Sequence, residues 1–240
     1  MPTCVECGAS VRDLYTQYSK DNIRLTSCEK CNRFADKYIE HDFVIIFIDM
    51  LLLKPQVYRH LLFNRITQSG NGIEPHVARF AILLILFEVY IKWFRLETYY
   101  TDYNSTFAPR PLYHQYLYIL ALCVFEFVAF HGFIRFAIQL LLPQSKNIRY
   151  NYVAMALVIS SFGKMLLILM VIWDYKQLEY SWLVGLIVLA SNTEALSVYL
   201  GISDLRVFII MVIGILGKFM AQFAFTFVDG VSDHTIWISL

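Results

Sequence analysis

Along the chain, the pattern of polar and apolar positions changes character twice. Residues 1–42 mix charged, polar and apolar positions throughout. Within them "LYTQY", "SKDN" and "IRLTS" predict strand, turn and strand, because β-branched and aromatic runs flank a polar tetrapeptide. From Phe43 to Leu53 there is one charge, Asp49. A helix of that length is about 16 Å long, whereas a bilayer core is about 30 Å thick. The stretch is too short to cross a membrane and too apolar to lie bare in water. After Gly70 and Gly72 come long apolar runs. By length and hydropathy they predict five spanning helices: His76–Leu96, Tyr116–Leu142, Asn151–Trp173, Trp182–Leu200 and Val207–Val228. The second is long enough to tilt or to break near Gly132.

The short apolar stretch and its continuation predict two helices. Asp42 and Asp49 are seven apart and line one edge of the first, a polar edge or an acceptor for a lipid hydroxyl. Pro55 suits the first turn of the second. There Val57, Tyr58, Leu61 and Leu62 share one arc, and Gln56, Arg59, His60 and Asn64 take most of the other. Two readings stay open. The helices lie in the membrane interface, with basic residues toward head groups, and fix the front of the chain there. Alternatively they pack onto the bundle as ordinary core.

Composition supports the membrane assignment: 58% of the 240 residues are hydrophobic and 16% charged, against about 25% charged in soluble domains. A net charge of +1 gives no electrostatic footprint for nucleic acid, and none is expected as a partner. The first 40 residues lack a basic-then-apolar pattern, so no cleaved signal peptide is expected. Residues 1–79 hold ten of the twenty Lys and Arg, which predicts a cytosolic N-terminus. Lys146 and Arg149 put loop 143–150 on the same side, and Asp229 and Asp233 suit the lumen. Asn104, in the sequon Asn104-Ser105-Thr106, then falls in a luminal loop and is a candidate glycosylation site.

Four of the five cysteines form Cys4-x2-Cys7 and, twenty residues later, Cys28-x2-Cys31. Two such pairs converge thiolates on one ion, and Gly8 and Asn32 follow them where positive φ is wanted. The expected fold class is a small N-terminal zinc ribbon (β) followed by an all-α polytopic membrane helix bundle. Residues 1–40 form the ribbon, 41–75 the short interfacial helices and 76–240 the membrane domain. About 40 residues cannot fold on their core alone, and zinc binding of roughly 10–16 kcal/mol supplies the deficit. With four thiolates the zinc is structural. The competing reading, two disulfides, is disfavoured by the spacing and by the expected cytosolic, reducing side. Cys123, inside an apolar run, reads as a packed small hydrophobe.

Every predicted span carries ionisable residues, which inside a membrane cost several kcal/mol and call for a partner or a function. Glu88 and Lys92 are i, i+4 and read as a structural pair along one helix. Glu126, Lys164, Glu194 and Lys218 lie nearer mid-membrane. They either pair between helices or line a polar path for lipid head groups. Small-residue spacings such as Ala156/Ser160 and Gly217/Ala221 allow close helix contact. His131 reads as bundle packing. No nucleophile is assembled with a base, so no enzyme is expected.

The order C-x2-C-G, then "LYTQYSKDNIRLTSC" with C-x2-C, then "DKYIEHDFVIIFIDMLLLKPQVYRHLLFN" resembles the Arv family over Cys4 to Asn64. The resemblance carries Cys4, Cys7, Cys28 and Cys31 over as that family's zinc-type cysteines. It implies an endoplasmic-reticulum membrane protein of sterol homeostasis, present also in the Golgi. It further implies sterol transport and distribution, and links to sphingolipid metabolism and to glycosylphosphatidylinositol-anchor assembly. Membrane lipids including sterol, and lipid-biosynthetic enzymes, are the partners it implies. The alternative is a scaffold that organises such an enzyme through the ribbon.

Overall fold

The computed structural model describes residues 2–19, 22–66, 72–102, 111–142, 148–168, 172 and 177–229. Asn104, Lys146 and Asp233 lie outside the described residues. The front is built from two matching turns. The Cys4 amide donates to Ala9 O and the Gly8 amide to Cys4 O; the Cys28 amide donates to Arg33 O and the Asn32 amide to Cys28 O. Gly8 and Asn32 have φ of 73° and 56°, the left-handed conformation that lets the chain fold back under each cysteine pair. Between the turns β1 (Tyr15–Ser19) and β2 (Asn22–Leu25) pair antiparallel, with Tyr15 opposite Leu25.

Next come a 3-10 turn (Lys37–Ile39), α1 (Phe43–Leu51) and α2 (Pro55–Arg59), which runs on as a π-helical turn, His60–Arg65. Pro55 stands in the first turn of α2 as expected. Between the helices Leu53 adopts φ 54°, its amide donating to Met50 O and that of Lys54 to Asp49 O. This is the usual left-handed helix stop with leucine where glycine is the ordinary choice. Asp42 and Asp49 do not share an edge. Asp42 is the N-cap, its backbone extended, and is exposed; Asp49 is buried.

The apolar residues of α1 serve two environments. Ile46 and Met50 join Val5 and Tyr38 of the front, Val57, Tyr58 and Leu61, and Phe162 and Ala195 of the bundle in one core. Phe43, Val44, Ile45, Ile48 and Leu52 are exposed. The stretch is therefore core on one side, with an apolar outer face that suits an interface on the other.

The remaining helices are α3 (Pro75–Asp102), α4 (Leu112–Leu141), α5 (Tyr150–Ser160), α6 (Gln177–Leu200) and α7 (Asp204–Asp229). α4 runs unbroken through Gly132. Among the described residues three helices, Leu112–Leu141, Tyr180–Leu200 and Asp204–Phe225, are long and apolar enough to cross a membrane. α5 gives way to a 3-10 segment, Ser161–Leu166. There the Ser160 hydroxyl donates to Ala156 O and that of Ser161 to Leu157 O. Ser191 donates to Ser160 O. Irregular backbone at membrane depth is tolerated only where protein groups satisfy it in this way.

α7 packs against α4 through Gly214 and Gly217, onto which the side chains of Ile134 and Phe133 of α4 fit. A Cβ on Gly217 would lie 2.3 Å from Phe133 Cγ. Around this contact Ile134, Ala137 and Ile138 meet Val207, Ile210 and Met211. Gly217→Ala is accordingly expected to destabilise the bundle by about 1–3 kcal/mol through overpacking. Gly185→Ala, where a Cβ meets nothing within 4 Å, should have little effect. Melting temperatures of the two purified variants check this; equal values would contradict the close contact.

Candidate functional site: a cysteine cluster and a charged cavity

The four cysteine sulfurs lie within 4.8 Å of one another. Cys4 Sγ is 3.8 Å from Cys31 Sγ, and Cys7 Sγ is 3.7 Å from Cys28 Sγ. A tetrahedron of zinc–sulfur bonds about 2.3 Å long has edges of about 3.8 Å, whereas a disulfide requires about 2.05 Å. The cluster fits a four-thiolate zinc site and leaves no open ligand position. Cys28 is lowered to about 7 because the amides of Cys31 and Lys30 point at its sulfur. Burial pushes Cys4 up to about 12, against the opposing amides of Cys7 and Glu6. A divalent ion would offset that burial.

The ribbon is welded to α1, α2 and the π-helical turn through polar groups that hydropathy does not single out. Asp36, fully buried, accepts from His60 Nδ1 at 2.7 Å, Asn64 Nδ2 at 2.6 Å and the Tyr38 amide at 3.0 Å. Asn64 also exchanges two hydrogen bonds with the Thr3 backbone. Arg59 Nη1 donates to Val5 O and Glu6 O. The expected assignment of basic residues to head groups is thus corrected: Arg59 and His60 turn inward to the ribbon, Arg59 to its knuckle carbonyls and His60 to the buried Asp36. Asp49 accepts from Tyr38 Oη and from Lys54 Nζ. Burial raises its carboxyl, but these hydrogen bonds together with the charges of Lys54 and Lys37 hold it below the ordinary carboxylate value. Tyr58 Oη bonds Ser191 Oγ of α6 at 2.8 Å, and burial pushes its phenol up to about 12.

Inside the bundle the charges pair between helices. Lys92 Nζ lies 2.5 Å from Glu126 Oε1. Glu88 receives Lys164 at 2.9 Å and Lys218 at 3.0 Å, and Lys218 also lies 3.3 Å from Glu126 Oε2. Gln222 Nε2 donates to Glu126. The predicted Glu88–Lys92 pair is not made. Both side chains point into the bundle, where ions from neighbouring helices offer drier partners than one along the same helix. The cluster borders a cavity of about 400 Å³, whose wall includes Glu126, Lys164 and Lys218. Glu194 does not line it: Asn192 does, and two residues on the α-helix has turned away. His131, also on the wall, bonds Phe127 O through Nδ1. Spacing alone misreads Glu88 and Lys92 for want of a tertiary signal. For Asp36 the only hint is that it opens the block "DKYIEHDF", which carries part of the family resemblance.

The chain matches the family model described as the Arv1-like family over residues 3–196. A protein from Dictyostelium discoideum called protein arv1 homolog is 37% identical over 91% of this chain and 93% of its own length. Protein arv1 of Schizosaccharomyces pombe is 40% identical over 82% of this chain and 75% of its own. The human protein ARV1 is 32% identical, over 98% and 87% respectively. No solved structure matches.

Two outcomes are expected. Elemental analysis of the purified full chain should find a single zinc, lost in Cys28→Ser, and a chelator should expose residues 1–40 to protease. A ribbon equally resistant without metal would sink the assignment. Asp49→Asn should destabilise the neutral-pH protein by about 1–3 kcal/mol. Because Asp49's folded pKa lies below its unfolded one, that stabilisation is full above the unfolded value. It fades as pH falls through the folded one. Melting of variant and parent should therefore converge in acid.

Proposed function

The chain belongs to the Arv1-like family, and we propose that it is a mediator of sterol homeostasis that moves lipid within, and out of, the endoplasmic-reticulum membrane. Family membership supports a role in sterol homeostasis or lipid metabolism in general. The finer reading makes sterol, and a glycolipid intermediate of anchor assembly, the cargo, with effects on sphingolipid metabolism and a presence in the Golgi. The single observation that carries transport is the cavity of about 400 Å³ lined by Glu126, Lys164 and Lys218 inside the apolar bundle. A bundle that needed only to hold itself together would gain by filling such a space.

Five spans with a cytosolic ribbon complete the proposal. α3 and α5 with its 3-10 extension join the three apolar helices, and their charges are met inside the bundle. The ribbon then sits beside the interface on the reducing side, where thiolates hold zinc. The protein acts without catalytic chemistry of its own.

One observation favours the scaffold reading. Tyr15, Tyr18 and Phe34 are exposed on the ribbon, and exposed aromatics are common at protein interfaces. They would receive a lipid-biosynthetic enzyme.

Liposomes containing only the purified chain separate the two. Labelled sterol or labelled glycolipid should move faster than in empty liposomes. Absence of movement by folded, zinc-loaded protein would transfer the assignment to the scaffold.

A further inference from the structure

We propose that the cavity holds a lipid by an anionic, phosphate-bearing headgroup placed against Lys164 and Lys218. The inference rests on the lipid-handling reading and names its cargo class. The first ground is a count of charge. Among the described residues the cluster has three ammonium groups, Lys92, Lys164 and Lys218, and two carboxylates, Glu88 and Glu126. One positive charge is left over. An uncompensated charge at membrane depth is costly, so the cluster has room for one more anion.

Accessibility says where that anion goes. The Lys92 side chain is 7% exposed and sealed against Glu126. Those of Lys164 and Lys218 are each 31% exposed, and both are on the cavity wall. Among the described residues Lys164 makes one ion pair and shares that carboxylate with Lys218, leaving ammonium hydrogens for a further acceptor. His131 adds a second polar point. Its Nδ1 is occupied by Phe127 O, and its buried Nε2 has no partner among the described residues. A phosphate hydroxyl, or a hydroxyl beside the phosphate, can donate to it.

Most of the remaining wall is apolar, Leu84, Phe127 and Met211 among it, beside the polar Ser161, Ser181, Asn192 and Gln222. Trp182 and Leu186 line the cavity and are also exposed on the bundle's surface, giving hydrocarbon a way out to the bilayer. About 400 Å³ is an ordinary size for a ligand site. It takes a headgroup and the start of its chains, the remainder staying in lipid. Free phosphate would leave the apolar wall unused; of the two cargoes proposed above, the phosphate-bearing glycolipid and not the neutral sterol meets the excess charge. A phosphate held here sits between the two membrane surfaces, the position required for passage from one leaflet to the other.

The test uses the full-length, zinc-loaded chain in a neutral detergent, with retained lipid counted by native mass spectrometry. Phosphatidic acid should be retained about tenfold better than phosphatidylcholine of the same chains, the scale of one charge-assisted contact. Excess inorganic phosphate should not displace it. Lys164→Gln should abolish the preference and Lys164→Arg restore it; Glu88 keeps Lys218 in the first variant, so the bundle retains a pair. His131→Phe, which leaves every ion pair intact, should lower the preference independently. Should Lys164→Gln fail to fold, His131→Phe and the lipid comparison on the parent chain decide. Equal retention of the two phospholipids, displacement by inorganic phosphate, or a preference untouched by both variants overturns the proposal. Liposome movement without a phosphatidic-acid preference overturns this inference alone. A folded chain that neither moves nor retains any lipid overturns the lipid-handling reading as well.

Discussion

A carboxylate buried in an apolar bundle must be answered by cations, and here two carboxylates set the arrangement of four segments. Glu88 on α3 draws Lys164 from the 3-10 segment after α5 and Lys218 from α7. Glu126 on α4 draws Lys92 from α3 and again Lys218. In hydrocarbon no water can substitute for these partners, so each ion fixes the rotation of its helix. The close approach of α4 and α7 at Gly217 brings Lys218, the next residue, within reach of both acids. Van der Waals packing and charge thus specify one geometry together. The cavity is what this geometry leaves, because ammonium and carboxylate groups hold the helices apart where apolar side chains would have closed them.

The front half obeys a different logic. Its cysteine turns are too small to hold themselves, so the ribbon leans on its neighbours, and its four sulfurs are placed to hold a metal ion. Asp36 gathers three donors, and Arg59 crosses onto the Val5 and Glu6 carbonyls. Tyr38 reaches Asp49, and Tyr58 reaches Ser191. Ribbon, short helices and bundle therefore share one continuous core, in which Val5 and Ala195 take part together. A displacement of the ribbon cannot occur without opening that core.

Local signals are legible in the sequence because their causes are local. The spacing of Cys4, Cys7, Cys28 and Cys31, and the residues after each pair, dictate the knuckles whatever surrounds them. The strand pair and the positions of the long helices come from period and hydropathy. Partner choice does not. Glu88 and Lys92 have the spacing of an intrahelical pair, and only the placement of α4, the 3-10 segment and α7 reassigns them. The α1 stretch stays ambiguous in sequence because it is apolar all round. Ile46 and Met50 face protein while Phe43 and Ile48 do not, and periodicity cannot separate lipid from core when both select the same residues. Leu53 gives no warning of its positive φ, a conformation imposed by the Asp49–Lys54 turn.

The Tyr58–Ser191 bond joins residues 133 positions apart. A ribosome makes the four cysteines first, so the knuckles can gather their ion while most of the membrane helices are still unmade. The docking surface of α2 has to wait for α6. Until then the nascent chain carries a folded head on an unfinished neck, with the Tyr58 hydroxyl and the apolar flank around Val57 uncovered. Closure of that neck reports that the late helices have arrived in register. A chain stalled short of α6, or one in which α6 is inserted wrongly, keeps its neck open, however well its head has folded.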